Sequence, residues 1–296
     1  TNLIFIANKN YQIGIMITFS FILLSSLLPD SFVNFLAGFA IVTVGILHGA
    51  NDLEILSKKF KGSLNHLYIK FLILYLLVVL LGAAFFFIIP SSALFLFVIF
   101  SSYHFGEQHW GERLPMNLSN FIFYTLYGAL VFFMIFTIQY DEVVGVINKI
   151  TGYTLIFEIF LYSSFGLGII IILLMLLKEQ LRVYFIDECI LLILLGVIFN
   201  VNSLLFAFAF YFVVWHSLPS LKEQLIYLHG NFNFSSFLKY LKSSAIYWIG
   251  SLASLFLVYQ YIDFEADYFM PLFFSFLAAI TFPHTLVIGM MKYKNA

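Results

Sequence analysis

Long apolar stretches, broken at intervals by small clusters of charge, set the rhythm of this 296-residue chain. Ten runs can be counted, at about 11–28, 33–56, 66–89, 91–110, 118–138, 155–177, 185–200, 203–220, 244–262 and 268–291. A helix rises about 1.5 Å per residue, so runs of this length suit a hydrocarbon core about 30 Å thick. The pattern predicts an all-α, polytopic transmembrane bundle of about ten helices, in a single integral-membrane domain over residues 1–296. Between Lys222 and Lys242 the pattern changes: LKEQLIYLHG and FSSFLKYLK predict short amphipathic helices on the inner membrane surface. No repeat, low-complexity tract or domain boundary interrupts the series. The first run lacks a small-residue cleavage signature before Pro29 and Asp30, so it is expected to persist as a helix. Thr1 is expected to follow loss of a methionine.

Cations orient the bundle, because cytoplasmic loops retain positive charge. With the N-terminus inside, Lys9, Lys58, Lys59, Lys61, Lys70, Arg113, Lys178, Arg182, Lys222, Lys239, Lys242, Lys292 and Lys294 fall in or beside inner segments. Lys149 alone of the 14 lies outside, with Asp30, Asp141, Glu142, Asp263, Glu265 and Asp267. Both termini are therefore expected in the cytoplasm, and even-numbered runs descend from outside to inside.

Composition agrees with the pattern: 62% of residues are hydrophobic, 10% are charged and the mean hydropathy is +1.02. So little polar surface makes the bilayer the expected solvent and membrane lipid the expected surroundings. A net charge of -1 gives no basic face, so no nucleic-acid partner is expected. The one cysteine, Cys189, excludes an internal disulfide and a multi-thiolate metal site.

Candidate chemistry lies in the histidines. His48, His104, His216 and His284 each fall near the inner end of an even-numbered run, a placement that follows from the cations alone. The next inner cations, Lys58, Arg113, Lys222 and Lys292, lie 10, 9, 6 and 8 residues further on, so the four rings sit at similar depth. A lone membrane histidine is commonly just a hydrogen-bonding group between helices. Four at one depth point instead to a shared metal, since neutral imidazole is the commonest metal-binding side chain. An all-nitrogen set suits iron, copper or zinc. Asp52 follows His48 by four residues and Glu107 follows His104 by three, so each shares a helical face with its histidine. Either carboxylate is placed to fix a ring from behind; the competing reading is a solvated interfacial acid, preferred for Glu107. His66, His109 and His229 are expected near the interface, with Trp110, Trp215 and Trp248 in aromatic belts.

Other classes are weighed by what they require. An opsin needs a lysine at mid-helix for its Schiff base, and no run carries one. Membrane desaturases use HxxxH and HxxHH boxes, which are absent. The alternative reading is a haem-bearing electron carrier, or a proton-coupled membrane transporter using the same histidines and Glu158. The common depth favours a centre over a path.

At GILHGANDLEIL, SSYHFGEQHW, WHSLPSL and FPHTLVI, the chain resembles the Brp/Blh family of membrane β-carotene dioxygenases of bacteria and archaea. The likeness spans nearly the whole chain. Its HGAxD element is matched by His48, Gly49, Ala50 and Asp52, its HFG element by His104, Phe105 and Gly106, and its HS element by His216 and Ser217. The resemblance implies a multi-pass enzyme of the cell inner (plasma) membrane that cleaves the central double bond of β-carotene with molecular oxygen. Two retinal molecules result, with delivery to an opsin as an implied partnership. It also implies Fe(2+) as cofactor, with His48, His104 and His216 as ligands. Other members carry a second histidine four residues after the first, where this chain has Ser220. Depth makes His284 the expected fourth ligand, ahead of His109.

Overall fold

A peptide group in hydrocarbon has no water to bond, so an apolar run must satisfy its backbone internally, and a helix does this within one segment. Every described element of the computed structural model, which describes residues 9–60, 65–261 and 269–292, is helical. In chain order these are α1 (Lys9–Leu27), α2 (Asp30–Ala40), α3 (Asp52–Lys59), α4 (Asn65–Ile88), α5 (Pro90–Trp110), α6 (Leu118–Ile138) and α7 (Tyr140–Thr151). There follow α8 (Phe157–Leu177), α9 (Glu179–Arg182), α10 (Phe185–Val201), α11 (Leu204–Phe210), α12 (Leu218–His229), α13 (Phe234–Tyr261) and α14 (Phe269–Lys292). Two π-helical turns, Ile41–Gly45 and Tyr211–Ser217, complete the set.

Among the described residues, six helical segments are long and apolar enough to cross a membrane: Leu67–Ile88, Leu118–Ile138, Phe157–Leu177, Leu204–His229, Phe234–Gln260 and Met270–Lys292. Tyr11–Leu27 and Asp30–Gly45 are shorter apolar helices. Lys61, Asp263, Glu265, Asp267 and Lys294 lie outside the described residues, as do the side chains of Lys9 and His66.

The amphipathic surface helices expected after Lys222 are not found. Residues 218–229 instead extend the eighth run, and residues 234–242 open the 28-residue α13. Pro219 lies inside this continuous segment, just after the second π-helical turn, and withholds an N–H there without ending the helix. The stop comes at Gly230, whose φ of 81° is a left-handed conformation that suits glycine, and Asn233 accepts from the Ser236 N–H to start α13.

The chain divides into two compact units. One is drawn from the segments up to Ile41, Ser102–Gly145 and Thr154–His216. Here α6 packs on α8, α1 on α10, and α2 on α11, with α10 also meeting α6. The C-terminal half of α5 crosses α6 at two glycines. A Cβ on Gly106 would fall 1.8 Å from the Tyr124 carbonyl oxygen, and one on Gly128 would fall 1.9 Å from that of Ser102. Small residues at such crossings let backbones approach closely, which gives contact that hydrocarbon cannot drive by exclusion.

The other unit comprises Val42–Ser101, Val146–Tyr153 and the segment from Ser217 onward. Its α14 packs on α4 and α3, while α12 packs on α3 and α13. Pro283 lies inside α14 and withholds an N–H from the carbonyl four residues back, that of Ala279. Gly82 of α4 comes against this turn: its Cβ would sit 3.5 Å from the Ala279 Cα and 3.1 Å from a ring carbon of Phe282.

Candidate metal centre

Within the second unit, His48 and His284 lie ring to ring, their centroids 4.8 Å apart at an interplanar angle of 89°. His48 follows the first π-helical turn, and the chain leaves the helix over Gly49–Asn51 before α3 begins. A helix end exposes carbonyls with no intrahelical donor. The Gly45 carbonyl is taken by the His48 Nδ1, which must therefore carry the proton. This break is tied to α13 from several sides: the Trp248 indole N–H donates to the Val42 carbonyl at 2.7 Å, and the Asn51 amide donates to the Tyr240 carbonyl at 2.9 Å.

His284 stands one residue beyond Pro283. Its Nδ1 lies 2.9 Å from Oδ1 and 3.1 Å from Oδ2 of Asp52, and the Tyr75 hydroxyl donates to Oδ2 at 2.8 Å. A carboxylate only accepts, so the His284 proton is on Nδ1 and its Nε2 carries the lone pair. Gly49 lies beside this ring: a Cβ there would sit 3.4 Å from its Nδ1, in ordinary van der Waals contact. Asp52 thus serves the ring of His284, not that of its helical neighbour His48. It is buried, as is Glu107, so neither is the solvated acid that the spacing also allowed.

Within the first unit, His104 and His216 form a second pair, with centroids 4.6 Å apart at 73°. Both are almost fully buried. His104 rides on α5 next to the Gly106 crossing. His216 belongs to the second π-helical turn, where Phe105 stacks on it at 4.2 Å and Phe212 lies nearly parallel at 5.7 Å. The preceding Trp215 is fastened to α1: its indole donates to the Thr18 hydroxyl at 3.1 Å, over Gly14, where a Cβ would fall 2.8 Å from the Trp215 ring. Each π-helical turn is tied down through a tryptophan indole, Trp248 bonding to Val42 in the first and Trp215 of the second bonding to Thr18. Single π-helical turns within α-helices are frequent at functional sites because they shift register locally.

Several residues sit elsewhere. His109 is buried within the protein, with Nε2 3.1 Å from both Glu188 carboxylate oxygens. Glu188 also receives the Arg113 guanidinium at 2.7 Å and the Tyr127 hydroxyl at 2.6 Å. Burial by itself would lower the Arg113 pKa, but the charge and hydrogen bond of Glu188, together with Tyr11 and Tyr127, raise the guanidinium above its ordinary value. Arg113 lies over the rings of Tyr11, Trp110 and Tyr184, at 4.4, 4.9 and 5.2 Å. Trp110 is fully buried and Trp215 nearly so, in place of the belt positions expected for them. Ser220 accepts from the Gln224 amide at 3.1 Å, and the Tyr240 hydroxyl lies 2.8 Å from the Gln224 amide oxygen and 3.0 Å from the His48 carbonyl. Glu158, the carboxylate of the transport reading, is exposed in the first turn of α8.

Glu188 and Tyr75 escaped the sequence reading. Glu188 had a signal, since an acid beside the apolar run of α10 needs a partner. Tyr75 had none, being one tyrosine inside a long apolar stretch.

The donor set suits a first-row metal that binds nitrogen. His48 and His284 both hold their protons at Nδ1, which leaves two Nε2 lone pairs on adjacent buried rings, and no thiolate accompanies them. A family model described as Beta-carotene 15,15'-dioxygenase matches residues 39–292. No curated protein and no solved structure matches the chain.

Proposed function

Since this chain belongs to the β-carotene 15,15'-dioxygenase family, we propose that it cleaves the central double bond of β-carotene with molecular oxygen to give two retinal molecules. In this reading His48, His104, His216 and His284 together hold Fe(2+) within a single integral-membrane domain. The observation that supports it best is the histidine pairing: within each unit, taken by itself, two buried imidazoles are in ring contact.

The reaction is balanced without outside help. The carbon–carbon double bond and the oxygen–oxygen bond are both broken, two carbonyl bonds form, and no reductant or net proton is needed. Ferrous iron, when bound, supplies the redox chemistry that lets oxygen react with an alkene. The chain's own part is to fix the imidazoles, keep water out and present the alkene in one register. Phe105 and Phe212 hold the His216 ring on apolar faces, and no side chain beside it is required as an acid or base. A carotenoid dissolved in the bilayer enters such a protein sideways, and retinal leaves by the same solvent to an opsin. In this reading the chain crosses the cell inner (plasma) membrane about ten times, a count supported by the apolar runs, with both termini in the cytoplasm, an orientation supported by the cations.

The test is to purify the full chain in detergent, quantify bound iron, and follow retinal chromatographically from β-carotene under labelled oxygen. Iron-dependent retinal carrying label in both halves is the expected result. An iron-loaded preparation that consumes no oxygen, or that shows a Soret band, would overturn the proposal in favour of transport or haem.

A further inference from the structure

We infer that Tyr75 and Asp52 form a positioning relay for His284, fixing its tautomer and ring plane so that Nε2 is the atom presented to a metal. The inference rests on the metal reading above and extends it to a residue outside the histidine set. Three elements meet here: Tyr75 from α4, Asp52 from the first turn of α3 and His284 from α14. Both Asp52 oxygens face the His284 Nδ1 at 2.9 and 3.1 Å, a near-symmetric approach that holds the ring plane as well as the proton. The Tyr75 hydroxyl, which donates to Oδ2 at 2.8 Å, holds the carboxylate itself.

The two rings of the pair are fixed by different means. His48 gives its Nδ1 proton to a backbone carbonyl freed where its own helix ends, so its orientation is local. His284 lies within α14, and its Nδ1 meets a side-chain acceptor from another element rather than a carbonyl of its own helix. Asp52 supplies that acceptor through both carboxylate oxygens. A buried carboxylate with one ring and no second donor would be poorly solvated, and the Tyr75 hydroxyl meets this need. A carboxylate behind a ligating imidazole raises its basicity, and losing such a partner commonly weakens metal binding by about 10 to 100-fold.

The test uses the full chain in detergent, freed of metal and titrated with cobalt(II), whose visible absorption reports both affinity and ligand geometry. Asp52→Asn is expected to weaken cobalt binding about 10 to 100-fold and to shift the absorption bands. Tyr75→Phe, which removes one oxygen, is expected to act in the same direction by a smaller factor, and Asp52→Glu to recover part of the loss. Tyr75→Phe decides the matter if Asp52→Asn does not fold. Lowered melting temperature with unchanged affinity and spectrum in both variants would mark the contacts as merely structural and overturn the relay. If His284→Ala weakens cobalt binding while the Asp52 and Tyr75 variants do not, the relay fails and the metal reading stands. If His48→Ala and His284→Ala both titrate like the parent chain, the metal reading itself fails.

Discussion

Gly106 on α5 and Tyr124 on α6 meet backbone to backbone, so closely that an added Cβ would fall 1.8 Å from the Tyr124 carbonyl oxygen. No side-chain rotation relieves a clash with a carbonyl; one helix must move. Gly106→Ala, and likewise Gly128→Ala at the Ser102 carbonyl, should cost about 3 kcal/mol or more, read as a lowered melting temperature in detergent. Because His104 lies half a turn before Gly106, the same variant should also lower metal retention. Gly38→Ala, where nothing lies within 4 Å, should be neutral or stabilising by up to about 1 kcal/mol.

Glu188→Gln should be strongly destabilising. It removes the charge that offsets Arg113, whose side chain is 18% exposed, and leaves His109 and Tyr127 facing a neutral amide. Breaking a buried pair from one side typically costs about 3–5 kcal/mol, and thermal unfolding in detergent would show it. Arg113→Met combined with Glu188→Met should be milder than Glu188→Gln alone, since no buried charge is left uncompensated.

Metal removal should lower stability, because a ligand that binds only the native state stabilises it by mass action. Dialysis against a chelator is expected to reduce the melting temperature of the parent chain, with iron restoring it. His48→Ala, His104→Ala, His216→Ala and His284→Ala should each melt at a temperature that neither treatment changes. Each should also lose retinal formation, scored by chromatography.

Topology can be read with thiol reagents once Cys189 is replaced by serine. Single cysteines placed near Lys9 and Lys292 are expected to react only after the membrane is permeabilised to the reagent. One placed near Lys149 should react in intact cells. The opposite pattern at Lys9 and Lys292 would reverse the orientation derived from the cations.

Much of the helical framework was legible in the chain because its cause is local. Apolar runs at 66–89, 91–110 and 118–138 coincide closely with α4, α5 and α6, since a run of that length can only close its hydrogen bonds on itself. The residue types and depth that mark the four histidines are equally local, as are the nearby cations. Where the backbone departs from a simple helix was hidden: the second run breaks at His48–Asn51 into α2, a π-helical turn and α3, and the eighth continues through Pro219 to Gly230. Those departures are stabilised by distant groups, such as Trp248 on Val42 and Thr18 on Trp215.

The partners of the chemical groups were decided by tertiary structure alone. Helical spacing paired Asp52 with His48, four residues away, yet Asp52 faces His284, which is 232 residues distant. Spacing within one helix reports which side chains share a face, but an aspartate in the first turn of a short helix points wherever that helix is docked. The docking of α3 against α4 and α14 is set by Leu53, Ile55 and Leu56 packing with Val287, Ile288 and Met291. Composition and periodicity therefore determined that this chain is helical, apolar and furnished with inward histidines. Only packing determined that His48 meets His284, that His104 meets His216, and that Tyr75 stands behind Asp52, because side chains far apart in sequence acquire a distance only when their helices are packed.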